Sequence, residues 1–486
     1  MSFVQPEYIV FLALVFAAYW LLGRRRRQNL LLIGVSFVFY GWVHPEFCLL
    51  LVASSVVDYL AARGMGARPA RKSWLLAASV AVNMGMLAYF KYVDFFIENF
   101  AAVMTTVGLT PSFTTLNLVL PLGISFFTFQ TMSYTIDVWR GQLEAREDFV
   151  DYMVFVTFFP QLVAGPVERA ANVLPQIEAE RSFDLERTRS GFALVLWGAF
   201  KKICVADTIA PYVDLVFLHS DPSAAMIWAG GLGFAVQILA DFSGYTDLAR
   251  GSARMLGIEL MENFESPYLA ATPAEYWQRW HISFSTWLRD YVYLPATFSP
   301  WVRRWITVPG TGRWGANAHM ARAFFITMLI SGVWHGASWI CIFWGLYHAV
   351  LLTAYHLAGR KIPRAFKKRY TRRQKRLVLV PLMFLWTWLG MIIFRERSLA
   401  TLVEHLTLNP LASTEEQWIT AAVMLGATAA TAAPLVLAWA YMTWLRPRLE
   451  GSIWRLPLQT TAWAAAAVCV FTFKRVTDGD FVYFQF

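Results

Sequence analysis

Long apolar stretches separated by short polar links recur along the whole chain. They fall near residues 7–22, 28–43, 46–62, 73–90, 116–137, 190–208, 225–241, 319–334, 337–357, 378–394, 417–445 and 457–473. A helix needs about 20 apolar residues to cross a bilayer. The pattern therefore predicts an all-α, polytopic integral membrane protein, a single domain over residues 1–486 with about 11–12 transmembrane helices. Residues 151–164, DYMVFVTFFPQLVA, are too few for a span and contain Pro160. They predict a re-entrant or interfacial segment, with Phe159-Pro160 and Gly165-Pro166 forming a rigid turn that has Glu168 and Arg169 at its mouth.

Residues 257–315 break the rhythm, with charges, several prolines and no clean span. Thr272-Pro273-Ala274-Glu275 reads as a capping box with proline in the first helical position. The spacing of Trp277, His281, Phe284 and Leu288 then predicts one amphipathic helix over 273–292, lying against or dipping into the membrane. Gln278, His281 and Ser285 line its margin, and Arg279, Arg289 and Asp290 supply charge. His281 is a candidate donor-side group, and a histidine tying this helix to a neighbour is the plain alternative. Asp241 and Asp247 are expected to pair with Arg250 and Arg254, with a catalytic role as the alternative.

Composition agrees with the pattern: 57% of residues are hydrophobic and 15% charged, and mean hydropathy is +0.45. The 22 tryptophans and 38 phenylalanines suit aromatic belts at two interfaces. The net charge of +10 sits in loops, which points to membrane topology rather than to nucleic acid. Arg24–Arg27, residues 63–72, Arg250/Arg254, Arg303/Arg304/Arg313 and residues 360–376 all become cytoplasmic when the N-terminus lies outside. The first apolar stretch runs into Arg24–Arg27 with no A-x-A site, so it is expected to stay as a span. Cys48, Cys204, Cys341 and Cys469 are scattered and read as free thiols, with no metal pattern.

The candidate chemistry lies in 324–348, FFITMLISGVWHGASWICIFWGLYH, which holds His335 and His348 at membrane depth. An ionisable group there must face a protein interior or water. His335 stands between Gly332 and Gly336, flanked by Trp334 and Trp339. Such an imidazole is a candidate general base; a packed histidine bonded to a carbonyl is the bland reading.

Three stretches together, WQRWHISFSTWLRDYVYLP (277–295), SGVWHGASWICIFWGLYH (331–348) and FFPQLVAGPVER (158–169), resemble the membrane-bound O-acyltransferase (MBOAT) family, in its bacterial alginate O-acetylation branch. NLLLIGVSFVFYGW (29–42), LAYFKY (87–92) and the terminal FVYFQF extend the likeness over nearly the whole chain. Two positions depart from that branch. Ala296-Thr297-Phe298-Ser299-Pro300 replaces a Gly-Gly turn, and Ala349 follows His348 where glycine is common.

The resemblance implies that His335 and His281 are catalytic, inside a ring of helices with a tunnel from a cytoplasmic donor to an outside acceptor. It also implies acetyl-CoA as donor and an exopolysaccharide as product, in a bacterial inner membrane. An extracytoplasmic SGNH-type acyltransferase and a polysaccharide synthesis complex are the expected partners. On this reading His335 accepts the acceptor's proton while His281 orients the donor. Arg279 and Arg289 are available to phosphates, and Trp334, Trp339, Trp277 and Ser285 line the site. The chain shows no GxSxG elbow, so no covalent serine of its own is expected. D-alanyl transfer from a carrier protein to teichoic acid, or a transporter without chemistry, are the alternatives.

Overall fold

The computed structural model describes residues 1–163, 165–298, 312–361 and 371–474. The basic residues Arg303 and Arg304, most of the run 360–376, Pro300 and the terminal FVYFQF lie outside the described residues. Among the described residues every regular element is helical. Seven helices among the described residues are long and apolar enough to cross a membrane, and Pro6–Leu22 is a shorter apolar helix. The apolar stretches of the sequence do become helices, but several end too early to meet that criterion. Residues 116–123, for instance, stay irregular before the helix Ile124–Arg140.

The chain forms two compact units. The first comprises Met1–Val195 and Tyr245–Met261. Its spans Phe47–Ala67 and Lys72–Thr106 bury a polar knot. The Asp58 carboxylate accepts from Ser79 Oγ at 2.6 Å and from Asn83 Nδ2 at 2.9 Å. A carboxylate inside an apolar bundle is tolerated only with such partners. Residues 151–162 are wholly buried and split into Phe149–Thr157 and Phe159–Leu162, with Pro160 in the first turn of the second piece. The break frees the Phe155 carbonyl, which Gln130 Nε2 meets at 2.5 Å and Gln161 Nε2 also meets. Glu168 is buried as well, accepting from the Met261 amide at 2.5 Å and from Asn172 at 2.8 Å. Burial raises its pKa above the ordinary glutamate value.

The second unit comprises Leu196–Gly244 and Glu262–Phe486 and holds the candidate chemistry. Its core packs Val213, Phe234, Trp280, Trp344, Ile392 and Met424 together. Asp241, for which the sequence predicts an arginine partner, meets a lysine. It pairs with Lys202, whose Nζ stands 2.7 Å from both Asp241 Oδ1 and Asp207 Oδ1. A π-helical turn over Lys201–Ala206 carries that lysine into the interior. Of the expected pairs, Arg250 does meet Asp247 at 3.5 Å within the first unit, where Arg254 meets Glu259 at 2.7 Å.

The run 324–348 is two helices, Gly312–His335 and Trp339–Lys361, joined by Gly336-Ala337-Ser338. Gly332 leaves the first helix unbroken, and its use is close packing. A Cβ on Gly332 would strike the Cys341 carbonyl, and one on Gly345 would strike that of Met328. The hairpin closes only because both positions lack side chains.

Candidate active site

The helix expected over 273–292 is broken in two, Pro273–Arg279 and Ile282–Leu288. Its start follows the sequence: Thr272 Oγ1 accepts from the Glu275 amide at 3.0 Å and Pro273 opens the first turn. The break comes from a neighbouring strand of chain, which competes for the backbone. Phe264 pairs with Trp280 in an isolated antiparallel bridge, and the Glu265 amide donates to the Arg279 carbonyl at 3.0 Å. Asn263 then takes the next two amides, Ile282 on its carbonyl at 3.0 Å and Ser283 on its side chain at 3.2 Å. These bonds force His281 into the left-handed region, φ 44° and ψ 55°. A β-carbon disfavours that conformation, which other residues adopt where surroundings over-determine it, often at functional sites. The single amphipathic stripe therefore does not exist as a helix face.

The turn aims His281 inward, where it is 1% exposed. Its ring stands edge-on to Phe242 at 4.6 Å and tilted on Phe284 at 5.0 Å. Burial lowers its pKa from 6.5 to about 3, so the ring is neutral at physiological pH.

His335 ends its helix and is 4% exposed. Four aromatic rings among the described residues pack around it: Trp334 at 4.9 Å, Trp344 at 5.0 Å, Phe394 at 5.4 Å and Phe284 at 5.7 Å. The Trp344 and Phe394 planes meet it at 88° and 87°. Edge-to-face packing of this kind fixes the angle of a ring without hydrogen bonding to it. Phe284 lies flat on Trp334 at 4.1 Å, so one stack separates and supports the two histidines.

The structure brings some of the other expected residues to this cage and leaves others outside. Trp334 is inside it. Trp277 is half-buried against Trp344 at 5.8 Å and His348 at 5.0 Å, one ring further from His335. Trp339 is 56% exposed at the start of its helix, just past the turn that follows His335. Ser285 Oγ donates to the Trp280 carbonyl at 2.9 Å, which helps to hold the turn. Arg279 bonds to Glu275 at 3.0 Å, and Arg289 bonds to Asp290 at 2.7 Å on the exposed side. Sequence reasoning missed Phe242, Trp344 and Phe394. Nothing in their local spacing marks them, since each comes from a different apolar helix.

Similarity to known proteins covers most of the chain. The sequence pattern of MBOAT, the membrane-bound O-acyltransferase family, matches residues 43–395, a stretch that includes both histidines. A protein of Azotobacter vinelandii described as a probable alginate O-acetylase is 37% identical over 394 residues, 80% of this chain and 74% of its own. The peptidoglycan O-acetyltransferase of Helicobacter pylori is 32% identical, covering 74% of this chain and 72% of its own. The teichoic acid D-alanyltransferase of Bacillus subtilis is 27% identical over 57% of this chain and 69% of its own. A match over most of the chain, on an all-helical multi-pass membrane fold, makes this protein an O-acyltransferase of the membrane-bound O-acyltransferase family.

Proposed function

We propose that this enzyme moves an acetyl group from cytoplasmic acetyl-CoA across the bacterial inner membrane to hydroxyls of an alginate-like exopolysaccharide. Transfer is direct or passes through an extracytoplasmic SGNH-type partner. The relatives acting on alginate and peptidoglycan support a polysaccharide acceptor. One observation carries the mechanism: His335 and His281 are both buried and both rest on Phe284.

In this reading His335 takes the proton of the acceptor hydroxyl as its oxygen attacks the thioester carbonyl. The carbon–oxygen bond forms, the carbon–sulfur bond breaks, and the imidazolium returns its proton to the departing thiolate. A positioned base contributes about 10²–10⁴-fold in rate. The aromatic cage excludes water, which protects the thioester from hydrolysis. His281, neutral and held by its strained turn, orients the donor and polarises its carbonyl. Trp334 and Trp277 shape the apolar walls on either side, Ser285 holds the turn, and Trp339 offers an exposed ring to an arriving acceptor. Donor phosphates would compete with Glu275 for Arg279 and with Asp290 for Arg289.

The test is incubation of membranes from a producing cell with labelled acetyl-CoA, scoring label in exported polysaccharide. Chain-dependent incorporation supports the reading. Label appearing only from a D-alanyl carrier protein would move the enzyme to teichoic acid chemistry instead.

A further inference from the structure

We propose that Glu396 and His405 are positioning residues for His335, acting through Phe394. The inference rests on the reading of His335 as the base. Phe394 is one of the four rings around His335 and also packs on Trp344 at 5.2 Å. It lies one residue before the end of the helix Arg372–Arg395, so its place depends on how the chain leaves that helix. Two polar links fix the exit. Arg395 bonds to Asp214 at 2.6 Å, with its guanidinium over Phe217 and Phe234. Immediately after, His405 Nδ1 donates to Glu396 Oε1 at 2.7 Å, with the two residues 6% and 5% exposed. His405 belongs to the short helix Leu399–Thr407, which Ser398 caps and Leu402 anchors in the core.

The burial of this pair needs a reason. Replacing a buried hydrogen-bonded pair by apolar residues of similar volume is often neutral or stabilising, so stability alone does not account for it. What an apolar pair lacks is direction. A single short bond to a fixed nitrogen sets the distance between the helix end and the helix that follows. Phe394 is two residues from that bond and its ring stands at 87° to that of His335. A base misplaced by a fraction of an ångström loses rate without losing the fold.

Asparagine and glutamine at position 405 separate the two roles, because the amide nitrogen of asparagine falls near the imidazole Nδ1 and that of glutamine near Nε2. Membrane vesicles of the producing cell with labelled acetyl-CoA give kcat and KM for each variant. The proposal expects His405→Asn to keep kcat within about threefold and His405→Gln to lose about tenfold or more, with KM for acetyl-CoA unchanged in both. Equal turnover by the two at equal abundance would overturn it. Should neither variant reach the membrane, Glu396→Gln, which keeps the acceptor, and Glu396→Leu, which removes it, make the same comparison. Equal kcat there would overturn it too. A His335→Asn enzyme that still transferred acetyl would sink the base reading, whereas these comparisons keep His335 intact and fail separately.

Discussion

His281 and His335 lie against a single phenyl ring, that of Phe284, with centroid separations of 5.0 and 5.7 Å. One comes from a strained turn between two short helices and the other from the end of a long one. Phe284 is fully buried and stacked on Trp334, so it fixes the spacing between the two imidazoles.

Phe284→Leu should therefore separate activity from folding. Leucine keeps the site apolar but fills less of it, at a cost of about 1–3 kcal/mol, so abundance should fall modestly while acetyl transfer per enzyme in the membrane falls several-fold. Phe284→Asp places a charge in the same spot, which costs several kcal/mol unpaired, and should lower the folded yield in detergent. Wild-type transfer by Phe284→Leu would show that the spacing does not matter.

The hairpin behind His335 makes a different demand. Gly345→Ala would drive a methyl into the Met328 carbonyl, and Gly332→Ala would drive one into that of Cys341. Overpacking of this kind costs about 1–3 kcal/mol. Both variants should lower the melting temperature and the activity together, whereas Gly426→Ala, with open space at that position, should change neither. Melting of all three at the wild-type temperature would mean that the hairpin is looser than described.

Much of this was legible in the sequence, and the failures share a cause. Long apolar runs predict helices because nothing else satisfies the backbone in hydrocarbon, and the paired glycines around His335 mark it at once. The break at Trp280–His281 was invisible: the spacing of Trp277, Phe284 and Leu288 reads straight through it. The bonds that break the helix come from Asn263 and Glu265, outside the motif. Asp241 misled for the same reason. Arg250 and Arg254 are near in sequence, but its partner Lys202 arrives on a π-turn of another helix.

That lysine offers a stability test. Lys202→Met would leave Asp241 and Asp207 without their shared cation, and removing one partner of a buried pair costs about 3–5 kcal/mol. The variant should be scarce in the membrane, and adding Asp241→Asn should recover part of the loss. Normal abundance of Lys202→Met would mean the site admits water.

The strained histidine predicts a pH dependence. Burial lowers the His281 pKa from 6.5 to about 3. Between those values the unfolded chain binds a proton at this position and the folded one does not, so stability rises with pH across the window. The contribution is intact above about 6.5 and lost as pH falls toward 3. In detergent, the melting temperature should drop on acidification, and His281→Phe should flatten the drop. An unchanged slope in His281→Phe would place the sensitivity elsewhere.

His335 is the proposed base, and its amide variants decide whether a proton acceptor is needed there. Asparagine and glutamine both donate and accept hydrogen bonds but cannot take up a proton at neutral pH. The measurement is label transferred from acetyl-CoA to exported polysaccharide, per unit of enzyme in the membrane, for wild type, His335→Asn and His335→Gln. A His335 that acts as base requires normal abundance with transfer reduced by at least about 10²-fold in both variants. Near wild-type transfer by either one would contradict it.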